Sequence, residues 1–166
     1  MTIKRYRSYS CFFFLIPCLV WLLYWLAFYP ARMSPDSLWQ WKQMKTLELN
    51  DVHPAFHTLT IWLLTRLWRD PAIVALFQIA VLSLVSGWGF SLLRRRGVPL
   101  TGILISLAVL CLHPATGFLA VTLWKSVFYS LLLLLLTLFL LKLILDSSWI
   151  RRKSVWISMG IIIAAL

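Results

Sequence analysis

Four long apolar stretches decide what this chain can become: Cys11 to Tyr29, Ala72 to Leu93, Val98 to roughly Leu119, and Ser126 to Leu145. The hydrocarbon core of a bilayer is about 30 Å thick and a helix rises about 1.5 Å per residue, so about 20 apolar residues make one crossing. Each stretch reaches that length. A backbone in oil has to satisfy its own N–H and C=O groups, which makes the spans helical. The expected fold is all-α, a polytopic transmembrane helix bundle with four full spans. A further apolar run, Ser154 to Leu166, has 13 residues and is too short to cross. It is read as a truncated fifth span, so that residues 1–166 form a single membrane domain, the N-terminal part of a longer chain. No internal repeat or second-domain boundary is visible.

Composition closes off the soluble alternatives. The chain is 61% apolar and 13% charged, against about half and about a quarter in soluble domains, which excludes a soluble globular enzyme. Its net charge of +11 would suggest nucleic acid in a soluble protein. Here the cations fall in short clusters between apolar runs, so they set topology and no nucleic acid partner is expected. Cys11, Cys18 and Cys111 all lie inside apolar runs and read as small buried hydrophobes.

The clusters also orient the chain. Lys4/Arg5/Arg7, Arg94/Arg95/Arg96 and Arg151/Arg152/Lys153 sit in short loops or a short tail, where the positive-inside bias places them in the cytoplasm. The first span lacks a small-x-small cleavage site before Tyr29 and is read as a retained anchor. Two crossings separate the first two clusters, so the segment Pro54 to Trp68 must not cross. It is short, with Arg66 inside it and Arg69 and Asp70 just after, and reads as an interfacial helix on the outer face. A large outer loop then runs from about Pro30 to Pro71, and a short one from Thr116 to Lys125.

Polar chemistry concentrates in those two loops. Ser34-Pro35-Asp36-Ser37 has the form of a helix start: Ser34 caps, Pro35 wastes no N–H, and Asp36 complements the positive helix end. In the helix that follows, Asp36, Gln40, Gln43 and Asn50 project to one side. Leu38, Trp41 and Leu49 project to the other, with Lys42 and Lys45 placed to snorkel. That pattern predicts a helix resting on the membrane, with Asp36 facing a polar cavity. His53 and His57 are spaced for one helical face with Asp51 nearby, a geometry that holds metals. Pro54 makes His53 a cap residue, however, and the pair is read as hydrogen-bonded interface groups. No metal is assigned. His113-Pro114 is expected near the outer end of the third span, where Pro114 kinks or ends the helix, and Trp124-Lys125 opens the fourth. Asp36, the three histidines and Lys125 thus converge on one membrane face, and ionisable groups gathered there mark a site.

The order Tyr29-Pro30, Ser34-Pro35-Asp36-Ser37 with Gln40, His53-Pro54, Pro71, Gln78, His113-Pro114 and Leu123-Trp124-Lys125 resembles the N-terminal part of bacterial integral-membrane glycosyltransferases of the GT-C superfamily. The resemblance implies a polyprenyl-phosphate-linked sugar as donor on the outer membrane face. Asp36 would be the catalytic base that deprotonates the acceptor, with His53 and Lys125 as donor-phosphate contacts. Gln40, His57 and His113 are candidate site-lining residues. Ser126 stands where the family pattern commonly has an acid, so no metal bridged by two acids is expected. Neither is a redox cofactor, since this chemistry needs only positioning and electrostatics. A divalent cation has no support in the residues. The expected partners are membrane lipid, the polyprenyl-phosphate sugar donor and an acceptor that the residues do not identify.

The competing reading is a non-enzymatic membrane protein, either an inactive remnant or a scaffold. A transporter half fits less well, because the span centres carry only Gln78 and Thr137 and lack the paired charges of a midplane site.

Overall fold

The computed structural model describes residues 3–48 and 54–166. In chain order the helices are α1 (Ile3–Ala27), α2 (Pro35–Thr46), α3 (Ala55–Thr65), α4 (Pro71–Arg95), α5 (Leu100–Leu112), α6 (Pro114–Ala120), α7 (Lys125–Leu145) and α8 (Lys153–Ala165), with a 3₁₀ turn at Ser147–Arg151 before the last. Among the described residues no strand forms, and β pairing is limited to an isolated parallel bridge between Arg32 and Thr122.

Among the described residues, three helices are long and apolar enough to cross a membrane: α1 through its Ser10–Ala27 portion, α4 and α7. These mark a membrane protein. The expected third span is not one straight helix. It divides into α5 and α6, bent by 63°, and counts as a fourth span only if the bent pair crosses together. The cause is Pro114, which bars its neighbour from helical geometry. His113 accordingly takes an extended conformation, φ −67° and ψ 119°, and Pro114 restarts the helix at its first position.

Helix α4 is the centre of the bundle, packed against α1, α3, α5, α6 and α7. Its start is fixed by Asp70, whose carboxylate accepts from the Ala72 N–H at 2.8 Å, with Pro71 following. Arg94 and Arg95 in its last turn complement the negative helix end, and Gly97 leaves at φ +90°, a left-handed conformation that favours glycine. Helices in oil associate through close packing of small residues rather than through water exclusion. On α4, Gly87 supplies the closest approach: a Cβ there would lie 3.0 Å from the Phe14 nitrogen of α1. The neighbouring hydroxyls are consumed within the helix, Ser86 donating to the Leu82 carbonyl and Ser91 to the Gly87 carbonyl, each at 2.7 Å. Gly117 of α6 plays the same part against the ring of Tyr24.

The antiparallel run of α1 and α4 defines two ends. At one, Arg96 donates to the Leu145 carbonyl at the close of α7, and Trp88 stacks on Trp149 at 6.3 Å. The Arg94–Arg96 cluster and the α7–α8 corner therefore share an end, where α1 also begins. At the opposite end, Trp25 of α1, Ile73 to Ala75 of α4 and Leu123 before α7 form one apolar cluster with Met44 of α2 and Ile61 of α3. Helix α3 has 11 residues and rises about 16 Å, half a bilayer core, so it does not cross. It covers the end of the bundle.

Candidate functional site

The Ser34–Ser37 motif and the Trp124-Lys125 motif meet at this loop end. Residues 32 and 122 form the parallel bridge, with the Arg32 N–H donating to the Val121 carbonyl at 2.9 Å and the Leu123 N–H to the Arg32 carbonyl at 3.0 Å. Two side chains extend the joint. The Trp124 indole Nε1–H donates to Ser34 Oγ at 2.6 Å, and the Ser37 hydroxyl donates to the Leu123 carbonyl at 2.7 Å. Ser37 has one hydroxyl proton, committed to Leu123, so in the 2.9 Å contact between the two serines Ser34 is the donor. Ser34 Oγ then accepts from both Trp124 and the Ser37 N–H, at 3.2 Å, as the N-cap of α2. Both serine hydroxyl protons are committed, and the start of α2 is fastened to the start of α7.

Asp36 stands on that fastened turn. It is exposed, and among the described residues no hydrogen bond or ion pair engages its carboxylate. The rest of the polar side of α2 behaves differently from expectation. Gln40 and Gln43 are buried, and the exposed side instead carries Leu38, Trp39, Lys42 and Lys45. The reason is α3, which lies against α2 and offers a partner: Gln40 Nε2 donates to Thr58 Oγ1 at 3.1 Å, and Thr58 is itself 0% exposed. Gln40 ties the two helices together, the Gln43 amide is buried without a hydrogen-bond partner among the described residues, and Asp36, in the first turn, keeps the open position. Lys42 lies 5.9 Å from the centre of the Trp39 ring, an amphipathic pairing suited to an interface.

His57 is buried on α3 with its ring 5.5 Å from that of Phe128, one turn into α7. Lys125 is the first residue of α7 and half-buried. Asp36, Gln40, His57 and Lys125 are thus carried by three helices joined by the Ser34–Trp124, Gln40–Thr58 and His57–Phe128 contacts. His53, Asn50 and Asp51 lie outside the described residues. Among the described residues, no three of His, Cys, Asp and Glu gather as metal ligands.

His113 stands apart. Helix α5 has 13 residues against 25 in α4, a rise of about 20 Å against about 37 Å, so the histidine falls short of the loop end and α6 makes up the difference at an angle. It faces a groove lined also by Ser106, Val109 and Leu138.

Two contributors are not among the candidate site residues read from the sequence. Thr58, within the α3 segment, had no pattern to mark it. Gln78 did stand out as a polar residue in a span: its Nε2 donates to the carbonyls of Leu119, Ala120 and Thr122 at 2.9, 3.1 and 3.1 Å. It satisfies the carbonyls left open where α6 ends, and so supports the 121–124 strip from beneath. Asp70, close to Arg66 and Arg69 in sequence, caps α4. Comparison with models of known families, with curated proteins and with solved structures finds no match to this chain.

Proposed function

We propose that the loop end is the reaction site of a membrane glycosyltransferase that takes a polyprenyl-phosphate-linked sugar on the outer membrane face. The observation that carries this reading is the fastening of the Ser34–Ser37 turn to the Leu123–Trp124 strip, which holds the Asp36 turn beside the start of α7. A glycosyl transfer from a lipid phosphate needs a base near the acceptor and a cationic seat for the leaving phosphate. Asp36 supplies an exposed carboxylate not spent on an ion pair among the described residues. Lys125 supplies a cation at a helix N-terminus, where the backbone N–H groups and the helix dipole favour an anion.

In this reading Asp36 takes the proton of the acceptor hydroxyl as its oxygen attacks the anomeric carbon. The bond from that carbon to the phosphate oxygen breaks, and the polyprenyl phosphate departs with its charge held at Lys125, with His53 as a second contact. Gln40 and His57 act through position, holding α2 and α3 against α7. The test is transfer of radiolabelled sugar from polyprenyl-phosphate donors in membranes containing the protein, together with a glycolipid profile of cells lacking its gene. Gain of transfer and loss of one glycan support the reading; no transfer with an unchanged profile contradicts it.

A further inference from the structure

Away from Asp36 and Lys125, a cleft of about 400 Å³ opens between α2 and α3, lined by Trp41, Lys45, Trp62, Thr65, Arg66 and Arg69. Three cations border it with no carboxylate among its lining residues, and no ion pair engages any of the three among the described residues. Asp70, which follows Arg69, is committed to capping α4, and Glu48, three residues after Lys45, makes no ion pair among the described residues. The Arg66 guanidinium lies 4.6 Å from the centre of the Trp62 ring, a contact that limits the entropy lost when it binds an anion. The Thr65 hydroxyl is already donated to the Trp62 carbonyl at 2.8 Å, which holds that wall in place.

The surroundings of the cleft are apolar and exposed. Leu59 and Leu63 of α3 and Leu67 in the turn after it lie near Arg66, with exposures of 46%, 62% and 80%. An uncompensated basic cleft beside an exposed leucine stripe matches a molecule with an anionic head and an acyl tail. We propose that the α2–α3 cleft binds the phosphate group of an anionic membrane lipid, with Arg66, Arg69 and Lys45 around the phosphate and the lipid chains along the leucine stripe. The two tryptophans bound the headgroup layer, where indole rings are favoured. This site would anchor the loop end on the bilayer, and it stands whether or not sugar transfer occurs.

The test is lipid binding to the purified protein, counted by native mass spectrometry with phosphatidylglycerol, with phosphatidylcholine, and with inorganic phosphate as competitor. The expected result is preferential retention of phosphatidylglycerol, weakened about tenfold or more in R66Q/R69Q, since each surface cation near an anionic lipid contributes about 1 kcal/mol. K45Q should weaken it less, and R94Q/R95Q, which removes equal charge at the opposite end, should leave that tightest lipid in place. K45Q also keeps the test decisive if the double variant fails to fold. Displacement by millimolar inorganic phosphate would keep the phosphate site and overturn its assignment to a lipid. Equal phosphatidylglycerol binding by the unmodified protein, R66Q/R69Q and K45Q would overturn the proposal.

Discussion

Trp124 and Ser34, ninety residues apart, are joined by a hydrogen bond of 2.6 Å from the indole Nε1 to the serine Oγ. Ser34 is at once the cap of α2 and the acceptor for the residue that opens α7, so the order of one helix depends on the position of the other. Ser34→Ala removes the acceptor for both the indole and the Ser37 N–H, a loss of about 1–2 kcal/mol. Amide exchange over residues 35–46 should then rise about tenfold, because a local opening costs that much less. Trp124→Phe, which deletes one donor and leaves the cap, should give a smaller rise. Unchanged exchange in both variants would mean that the two motifs are merely adjacent.

Gln78 holds the end of α6 through three carbonyls from one amide. Gln78→Leu keeps the volume of the side chain and strands those acceptors in a buried site, which costs about 1–3 kcal/mol. Thermal unfolding in detergent should shift down accordingly. Gln78→Glu should be worse, since a carboxylate would face three carbonyl oxygens. A Leu variant as stable as the unmodified protein would show that water replaces the amide.

The orientation of the bundle has its own test. Arg94 to Arg96 and Arg151 to Lys153 share one end of the bundle, and α2 and α3 lie at the other. The positive-inside rule predicts that the arginine end faces the cytoplasm. A cysteine at the exposed position 42 should react with an impermeant thiol reagent in intact cells, and one at position 95 should react only after lysis. The reverse pattern would invert the bundle and remove the outer-face donor reading with it.

Much of this architecture is visible in local sequence. Ser34-Pro35 does open a helix, Pro114 does break one, and the apolar part of the 54–68 segment is a helix too short to cross. These are signals of one or a few residues, set by missing N–H groups, fixed φ and length. The direction of α2 is less visible, because its amphipathic pattern fits equally a polar side turned to water and a polar side buried against another helix. Thr58 decides between them, 18 residues away from Gln40. Asp70 shows the same limit: Arg66 and Arg69 lie close by in sequence, but the geometry of Asp70-Pro71 at a helix start gives the carboxylate a backbone donor first. The Ser37–Leu123 bond spans 86 residues, a pairing that only the assembled bundle defines.

Asp146 gives a pH dependence that local geometry predicts. It follows α7, and a hydrogen bond from Lys142 at 2.8 Å, followed by one from Ser148, holds its carboxyl down from 3.8 to about 2. A depressed carboxyl stabilises the fold fully above its unfolded value and loses that contribution as pH falls through its folded value. The stability gap between the unmodified protein and Asp146→Asn should therefore be constant above pH 3.8 and close as pH falls toward about 2. Because the pair is partly exposed to solvent, the gap should be small and should shrink with salt. A gap that widens on acidification would contradict the assignment.

The central claim rests on Asp36, and the most direct measurement is sugar transfer by Asp36→Asn in the polyprenyl-phosphate donor assay that the unmodified protein supports. Asparagine serves the first turn of a helix and fills the same space, so the variant should fold and insert normally. It should lose about 100-fold or more in turnover, as removal of a general base does, and Lys125→Gln should instead raise the donor concentration needed for half-maximal rate. Full transfer by the Asp36→Asn protein would show that the carboxylate only starts a helix, and would contradict the account of this site.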